Sequence, residues 1–264
     1  MRGVLLFAFN NGVTDYFKMA IANAKRANHF LKLPVTVVTD KNTVLENYDI
    51  SVFDKICFAD SDDTNKNVRG EKWLNKGRYR AYELSPYHET IVLDTDYLVN
   101  SNQLLSLFDM YDDFMCHKTT RFLMSEEVAP EEISMYSFET LWATVIIFKK
   151  TEKVKQIFEC LEMIQHNYKH YANIYNFSHG MYRNDYGVTL ALHIVNGNTE
   201  DKQNIIPWKL THIARNVKVH KATDNPFNSE YVIFDASKKQ TYIKVKDMDF
   251  HLLNKDMYMS LVDE

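Results

Sequence analysis

The stretch Thr90-Ile-Val-Leu-Asp94-Thr-Asp96-Tyr-Leu-Val99 places two aspartates directly after a short apolar and β-branched run. Such a run predicts a buried strand, and the polar residues after it predict a loop. In open α/β sheets the loops at the carboxyl ends of the strands form the ligand crevice, so Asp94 and Asp96 are expected to lie in a binding site. Two carboxylates separated by one residue can bind a hard divalent cation, and that cation can bind a diphosphate at the same time.

The spacing of these aspartates is weak support by itself, because Asp60/Asp62 and Asp247/Asp249 repeat it among 35 acidic residues. We interpret those two pairs as solvated turns with capping aspartates. Asp94 and Asp96 differ in context, since an apolar run precedes them and another follows them. This context favours metal binding over a simple turn.

The rest of the first hundred residues predicts a parallel α/β sheet. Apolar runs predict strands over 4–9, 35–39 and 55–59, and helical spacing predicts helices over 14–32 and 73–84. Asn10 and Asp40 follow the first two strands and would share the crevice edge with Asp94. We expect Asn10 and Asp40 to contact a nucleoside, with turn formation at the strand ends as the alternative.

The second half of the chain has a different order of elements. The pattern predicts helices over 102–110, 151–166 and 185–195, and strands over 114–117, 142–148, 231–234 and 242–245. No repeat or Pro/Gly/Ser linker separates the halves. We therefore expect a single domain over 1–264 in which the halves 1–100 and 101–264 share one body.

Composition narrows the class of protein. The 264 residues are 45% hydrophobic and 25% charged, which is ordinary for a folded globular chain. A net charge of -4 argues against a surface that is basic throughout, although it leaves room for a local basic stripe. The cysteines Cys57, Cys116 and Cys160 form neither a disulfide framework nor a zinc pattern. With no secretory or membrane-spanning run, we expect a soluble cytoplasmic protein without a membrane partner.

Two segments resemble a known family. The segment from Arg78 to Val99 resembles the region around the metal-binding DxD of GT-A glycosyltransferases, especially family-eight-like ones. The opening Phe7-Ala-Phe-Asn-Asn and the later Leu33-Pro-Val-Thr-Val-Val-Thr-Asp40 resemble the nucleotide-binding start of small transferases, some of which occur in tailed phages. The similarity covers about the first hundred residues. For a viral protein the compartment would be the host cytoplasm.

The resemblance implies a fold, a reaction and ligands. The fold is GT-A, a Rossmann-like mixed α/β sheet flanked by helices, and the reaction moves a sugar from a nucleotide-sugar donor, a UDP-sugar, to an acceptor hydroxyl. The cofactor is Mn²⁺ or Mg²⁺. Phe9 and Thr95 join the predicted nucleotide-sugar contacts. The acceptor would be a glycan or a modified DNA base.

The family also implies a histidine and a lysine near the C-terminus, and Phe250-His-Leu-Leu-Asn-Lys255 is the matching segment. His251 would be the third metal ligand beside Asp94 and Asp96, and Lys255 would offset phosphate charge as the leaving group departs. The spacing from His251 to Lys255 is shorter than in the familiar family-eight pattern. The alternative is a surface histidine and lysine near the chain end.

Asp185 opens a predicted helix, where it could be the capping residue. The resemblance implies a second role, a catalytic carboxylate that contacts the donor sugar or takes the acceptor proton. These two roles are compatible. In retaining relatives an Asn-Gly turn lies under the sugar, whereas this chain has Ala143-Thr144 at the corresponding place. The stereochemistry of transfer is therefore not assigned.

A basic run precedes the predicted fourth strand; its members are Lys66, Arg69, Lys72, Lys76, Arg78 and Arg80. Runs of this kind are usually solvated helix faces. The functional interpretation is that Lys76 or Arg78 reaches the diphosphate, while the outer residues meet a polyanionic acceptor such as DNA.

Three alternatives to a glycosyltransferase remain open. A nucleotidyltransferase of the same fold would need a glycine-rich basic loop after the first strand, and the segment there, Asn10-Asn-Gly-Val13, is neither glycine-rich nor basic. A phosphatase with Asp94 as nucleophile would carry its motif nearer the N-terminus. The third is a binding domain without catalysis, because a fold can be kept after its catalytic activity is lost.

Overall fold

A computed structural model describes residues 1–43, 45–60, 67–68, 71–72, 74, 77–110, 112–124, 138–177, 181–199, 201–235 and 241–262, with the backbone alone at 67–68 and 71–72. Within these residues the strands are β1 (Arg2–Phe7), β2 (Val35–Thr39), β3 (Lys55–Phe58), β4 (Asn67–Val68), β5 (Glu71–Lys72), β6 (Glu89–Leu93), β7 (Tyr97–Leu98), β8 (Phe114–His117), β9 (Thr120–Leu123), β10 (Trp142–Lys149), β11 (Leu210–Ile213), β12 (Val217–Lys221), β13 (Glu230–Asp235), β14 (Tyr242–Lys246) and β15 (Phe250–Leu252). The α-helices are α1 (Tyr16–Phe30), α2 (Ala81–Leu84), α3 (Leu107–Met110), α4 (Glu152–His166), α5 (Tyr168–Ile174), α6 (Asn184–Val195) and α7 (Lys255–Val262).

The central sheet has six strands in the order β3-β2-β1-β6-β10-β8. The first four are parallel, whereas β10 runs antiparallel to both β6 and β8. Helices cover both faces of this sheet. The predicted class, a mixed α/β sheet flanked by helices, is confirmed.

The alternation of side chains along β1 explains the two covered faces. Val4 and Leu6 pack with α1 on one face, and Leu5 and Phe7 pack with α4 and α6 on the other. Successive side chains of a strand point to opposite faces, so a strand that is apolar throughout must be buried on both. Each large apolar side chain buried in this way contributes about 1.5–3 kcal/mol.

Three smaller sheets accompany the central one among the described residues. Their orders are β7-β15-β11-β9, β12-β13-β14 and β4-β5. β7 begins directly after Asp96, and β15 carries His251 from the far end of the chain. The small sheet containing β7 therefore joins the end of β6 to the C-terminal segment.

Several sequence predictions need correction in detail. The helix predicted over 102–110 is a 3₁₀ turn, Gln103–Ser106, followed by the short α3. In the region of the helix predicted over 73–84, the structure has a 3₁₀ turn at Gly77–Arg80 followed by α2. The pattern did not predict the short strands β7, β9, β11 and β12. These strands have two to five residues, which is too short for a clear period.

Among the described residues, no helix has the length and apolar composition needed to cross a membrane.

Candidate functional site

The turn after β6 presents the two aspartates. The carbonyl of Asp94 accepts a hydrogen bond from Tyr97 N at 3.1 Å, which closes a four-residue turn, and Asp94 N donates to Thr144 O at 3.0 Å. Asn23 of α1 also donates to the Asp94 carbonyl, at 3.2 Å. The backbone of the turn is thus held from two sides, which fixes where its carboxylates lie.

Arg78 holds the first aspartate in place. Its side chain is 2% exposed, forms an ion pair with Asp94 Oδ1, and donates from Nη1 to Ala143 O at 2.6 Å. Burial works against ionisation of Asp94, but the combined attraction of Arg78, His251 and Lys255 holds the pKa of that carboxyl below its usual value. The bond to Oδ1 leaves the second oxygen of Asp94 for another ligand.

The second aspartate meets the C-terminal segment. His251 Nε2 lies 3.0 Å from Asp96 Oδ2, and the Lys255 ammonium pairs with the same oxygen. The antiparallel pairing of β15 with β7 places His251 opposite Tyr97, next to Asp96 in the chain. Leu252 N also donates to Asp96 O at 3.0 Å. Strand pairing therefore brings together groups that lie more than 150 residues apart in the sequence.

The electrostatic surroundings leave His251 in the form that can bind a metal. Burial lowers the pKa of His251, and Arg78 lowers it further, against the opposing charges of Asp94 and Asp185. A lowered pKa keeps the imidazole neutral at pH 7, and a neutral imidazole has a free lone pair.

Asp94, Asp96 and His251 fit a divalent cation. Each offers one ligand atom, and these atoms all lie within 4.8 Å of one another. Carboxylate oxygens suit Mn²⁺ and Mg²⁺, and an imidazole is an acceptable further ligand for Mn²⁺. Arg78 and Lys255 balance the charges of the two carboxylates, so both can stay ionised and offer oxygen atoms to a cation.

Asp185 lies in the first turn of α6, but the interpretation that it caps this helix is wrong. The N-cap residue is Arg183, and Asp185 instead accepts a hydrogen bond from Ala143 N at 2.9 Å and an ion pair from Arg183 at 2.7 Å. The β10–β8 register shifts between Trp142 and Ile146, which interrupts the regular ladder there. Asp185 therefore satisfies the N–H of Ala143, and Arg78 satisfies its C=O.

Phe9, Asn10 and Asp40 lie at the same sheet edge, but their side chains contact nearby residues of the chain. Asn10 accepts from Phe17 N in the first turn of α1 at 2.9 Å, and Asp40 accepts from Thr43 N at 3.1 Å and from Thr43 Oγ1 at 3.0 Å. Phe9 is buried in the core. These contacts are those of the turn-forming alternative, and the nucleoside role of the three residues stays a prediction.

The other predicted site residues are Thr95 and members of the basic run. Thr95 is 5% exposed between the two aspartates. Lys76, like Lys66 and Arg69, lies outside the described residues. Arg80 pairs with Glu83 at 3.4 Å. Within the described part of the basic run, the buried Arg78 reaches the acidic site, so the interpretation of a wholly solvated face is wrong at that residue.

Sequence reasoning missed one residue of the site, His212. It lies on β11 opposite His251 of β15, and the Nδ1 atoms of the two rings are 3.2 Å apart. A single histidine on a short strand carries no motif. Its position follows from the pairing of β11 with β15.

No protein-family model matches this chain, and no curated protein sequence matches it. Among solved structures, it is similar to the galactosyltransferase LgtC in complex with donor and acceptor sugar analogues, at 14% identity and a TM-score of 0.49 over 73% of this chain and 70% of that one. It is similar to mouse xyloside xylosyltransferase 1 at 11% identity and a TM-score of 0.46, over 75% of this chain and 83% of that one. A third likeness, to 4-diphosphocytidyl-2C-methyl-D-erythritol synthase from Anaerococcus prevotii DSM 20548, has 11% identity and a TM-score of 0.40 over 78% and 91%. All three TM-scores lie below 0.5, so these likenesses carry no argument about the chemistry of the site.

The fold and the site together define the class: an α/β protein with a candidate cation site at the carboxyl edge of a mixed sheet.

Proposed function

We propose that this protein is a metal-assisted glycosyltransferase of the GT-A kind. More particularly, we propose a family-eight-like enzyme, of the small type found in tailed phages, that uses a UDP-sugar and Mn²⁺ or Mg²⁺. The observation that carries the proposal is the convergence of Asp94, Asp96 and His251 at the carboxyl end of β6, with Arg78 and Lys255 beside them. The resemblance of residues 78–99 to the DxD region supports it.

The proposed reaction exchanges one bond of the sugar for another. The bond from the anomeric carbon to the diphosphate oxygen breaks, a bond to the acceptor oxygen forms, and the acceptor hydroxyl loses its proton. Asp94, Asp96 and His251 would hold the cation, which would supply positive charge to the departing diphosphate. Residues 1–100 would bind the donor and residues 101–264 would present the acceptor.

Each neighbouring side chain has a definite task in this proposal. Arg78 orients Asp94 through Oδ1. Lys255, whose ammonium pairs with Asp96, would bind the diphosphate of the donor and offset its charge as it leaves. Asp185, held by Ala143 N and Arg183, contacts the donor sugar or takes the acceptor proton.

The acceptor is proposed to carry a hydroxyl group, with a modified DNA base and a glycan as the two classes to assay. A DNA acceptor predicts affinity that falls steeply with added salt, because phosphate contacts release counterions. A neutral glycan predicts affinity that salt leaves nearly unchanged.

The first experiment is a thermal-shift panel of nucleotide sugars with and without Mn²⁺, since a ligand that binds the native state raises its stability. The donor found in this way is then tested for hydrolysis and transfer. Asp96→Asn should abolish both activities. Asp247→Asn is the matched control: it belongs to another DxD pair, and its φ of 51° is one that asparagine tolerates.

The outcomes separate the candidate functions. Metal-assisted donor binding without turnover by the wild-type protein would indicate a binding domain. Release of pyrophosphate from a nucleoside triphosphate would indicate a nucleotidyltransferase. Equal donor turnover by wild type and Asp96→Asn would refute the proposed site.

A further inference from the structure

His212 lies directly behind the proposed metal ligand His251. The two residues face each other in the parallel β11–β15 pair, with Nδ1 atoms 3.2 Å apart and ring centroids 5.1 Å apart. His212 is 1% exposed. A hydrogen bond between two Nδ1 atoms requires that one ring carries the shared proton and the other accepts it.

Metal binding decides which ring donates. An imidazole binds a metal through an unprotonated nitrogen, and His251 Nε2 is the nitrogen that faces Asp96. With Nε2 bound to a cation, the proton of His251 must lie on Nδ1, and His212 Nδ1 is the acceptor at hydrogen-bond distance.

We propose that His212 is a positioning residue that accepts the Nδ1 proton of His251 and thereby directs the Nε2 lone pair of His251 at the cation. The proposal rests on the proposed function, because it requires the cation site. Hydrogen-bond partners of metal-binding histidines fix the tautomer and ring orientation, and their loss typically weakens metal binding roughly 10- to 100-fold.

Aromatic neighbours hold His212 in the orientation that this role needs. Its ring packs against Trp142 at 5.3 Å with an interplanar angle of 62° and against Phe122 at 5.0 Å with an angle of 31°. A ring enclosed in this way cannot turn its Nδ1 away from His251 without displacing its neighbours. The remaining nitrogen, His212 Nε2, is buried and has no partner within the described structure, and in the proposed tautomer it carries the proton of His212.

The test is the Kd for Mn²⁺ measured by calorimetry on the full chain. His212→Leu removes the acceptor and should weaken Mn²⁺ binding roughly 10- to 100-fold. His212→Asn places an amide oxygen where Nδ1 was, so it should restore binding to within a few fold of wild type. His117→Leu is the matched control, because His117 is also fully buried and both its ring nitrogens lack a partner in the part of the chain that the structure describes. It should bind Mn²⁺ as the wild type does.

Nitrogen-15 NMR of the histidine rings supplies a second readout with a diamagnetic cation such as Mg²⁺. With cation bound, His251 should show a protonated Nδ1 and His212 a protonated Nε2. A folded His212→Leu variant with wild-type Mn²⁺ affinity would overturn the positioning role, as would a cation-bound wild type with its proton on His212 Nδ1. Absence of Mn²⁺ binding in the wild type is a different result, and it would overturn the proposed function itself.

Discussion

Replacing Arg78 with methionine should lower the free energy of unfolding by about 3 kcal/mol at pH 7. Arg78 is 2% exposed and serves two acceptors, the carboxylate of Asp94 and the carbonyl of Ala143. Methionine fills much of the same volume but donates no hydrogen bond. Both acceptors would lose this donor.

The magnitude follows from opposing contributions. Removing one partner of a buried ion pair costs about 3–5 kcal/mol, and an unsatisfied buried carbonyl adds about 1–3 kcal/mol. Three features reduce the sum. The side chain of Asp94 is 24% exposed, so water can reach it. Arg78 Nε is buried and has no hydrogen-bond partner among the described residues, so its removal loses nothing there. The cost of burying the guanidinium also disappears in the variant. The lower end of the range is therefore expected.

Urea unfolding followed by circular dichroism, without divalent cations, measures this loss, and an unchanged m-value would show that the unfolding reaction is the same. The double variant Arg78→Met/Asp94→Asn should regain at least about 1 kcal/mol, because the unpaired charge is gone. Arg80→Met is the matched control. Arg80 is part-exposed and pairs with Glu83 at 3.4 Å, so the loss should stay below about 0.5 kcal/mol.

The pH dependence has a definite sign. The pKa of Asp94 is held below its usual value of 3.8, so the stability contributed by the ion pair is present above that pH and is lost as the pH falls through the lower folded-state pKa. The deficit of Arg78→Met should therefore shrink in acid. A deficit below about 1 kcal/mol at pH 7, or a double variant no more stable than Arg78→Met, would refute the ion-pair reasoning.

Three further predictions test neighbouring groups. Lys255→Gln should tighten Mn²⁺ binding to the nucleotide-free protein several fold, because the ammonium of Lys255 no longer competes for Asp96. The same variant should bind a nucleoside diphosphate more weakly. Calorimetry that shows no gain in Mn²⁺ affinity would contradict this reasoning. Burial lowers the pKa of His117 to about 3, so the stability that this residue contributes is present above about pH 6.5 and falls in acid by about 1.4 kcal/mol per pH unit. His212 and His251 add to the same slope, because burial lowers their pKa values too. His117→Leu should therefore reduce the slope of the unfolding free energy, measured with urea between about pH 4 and pH 6, by about 1.4 kcal/mol per unit. Asp185→Asn keeps an oxygen for Ala143 N, so it should cost at most about 1 kcal/mol of stability but lower transfer at least roughly 100-fold; equal activity would exclude a catalytic carboxylate.

The sequence by itself determined the local parts of this protein. The apolar run of β1, the helical spacing of α1 and the apolar run before Asp94 each depend on neighbours in the chain, and all three elements are present where the pattern predicts them. The strand-end position of the two aspartates follows from the same local information. Local periodicity shows which face of a helix or strand is buried. It is therefore enough to predict the fold class and the edge of the sheet where ligands bind.

Only the tertiary structure decided how the site is assembled. The sequence left His251 and Lys255 open as a surface pair, and the pairing of β15 with β7 brings both to Asp96. A helix cap at Asp185 was equally open from the sequence, and the register shift in β10 directs its carboxylate to Ala143 N instead. Strand pairing and register between distant segments depend on the packing of the whole core, and a local pattern carries no information about them.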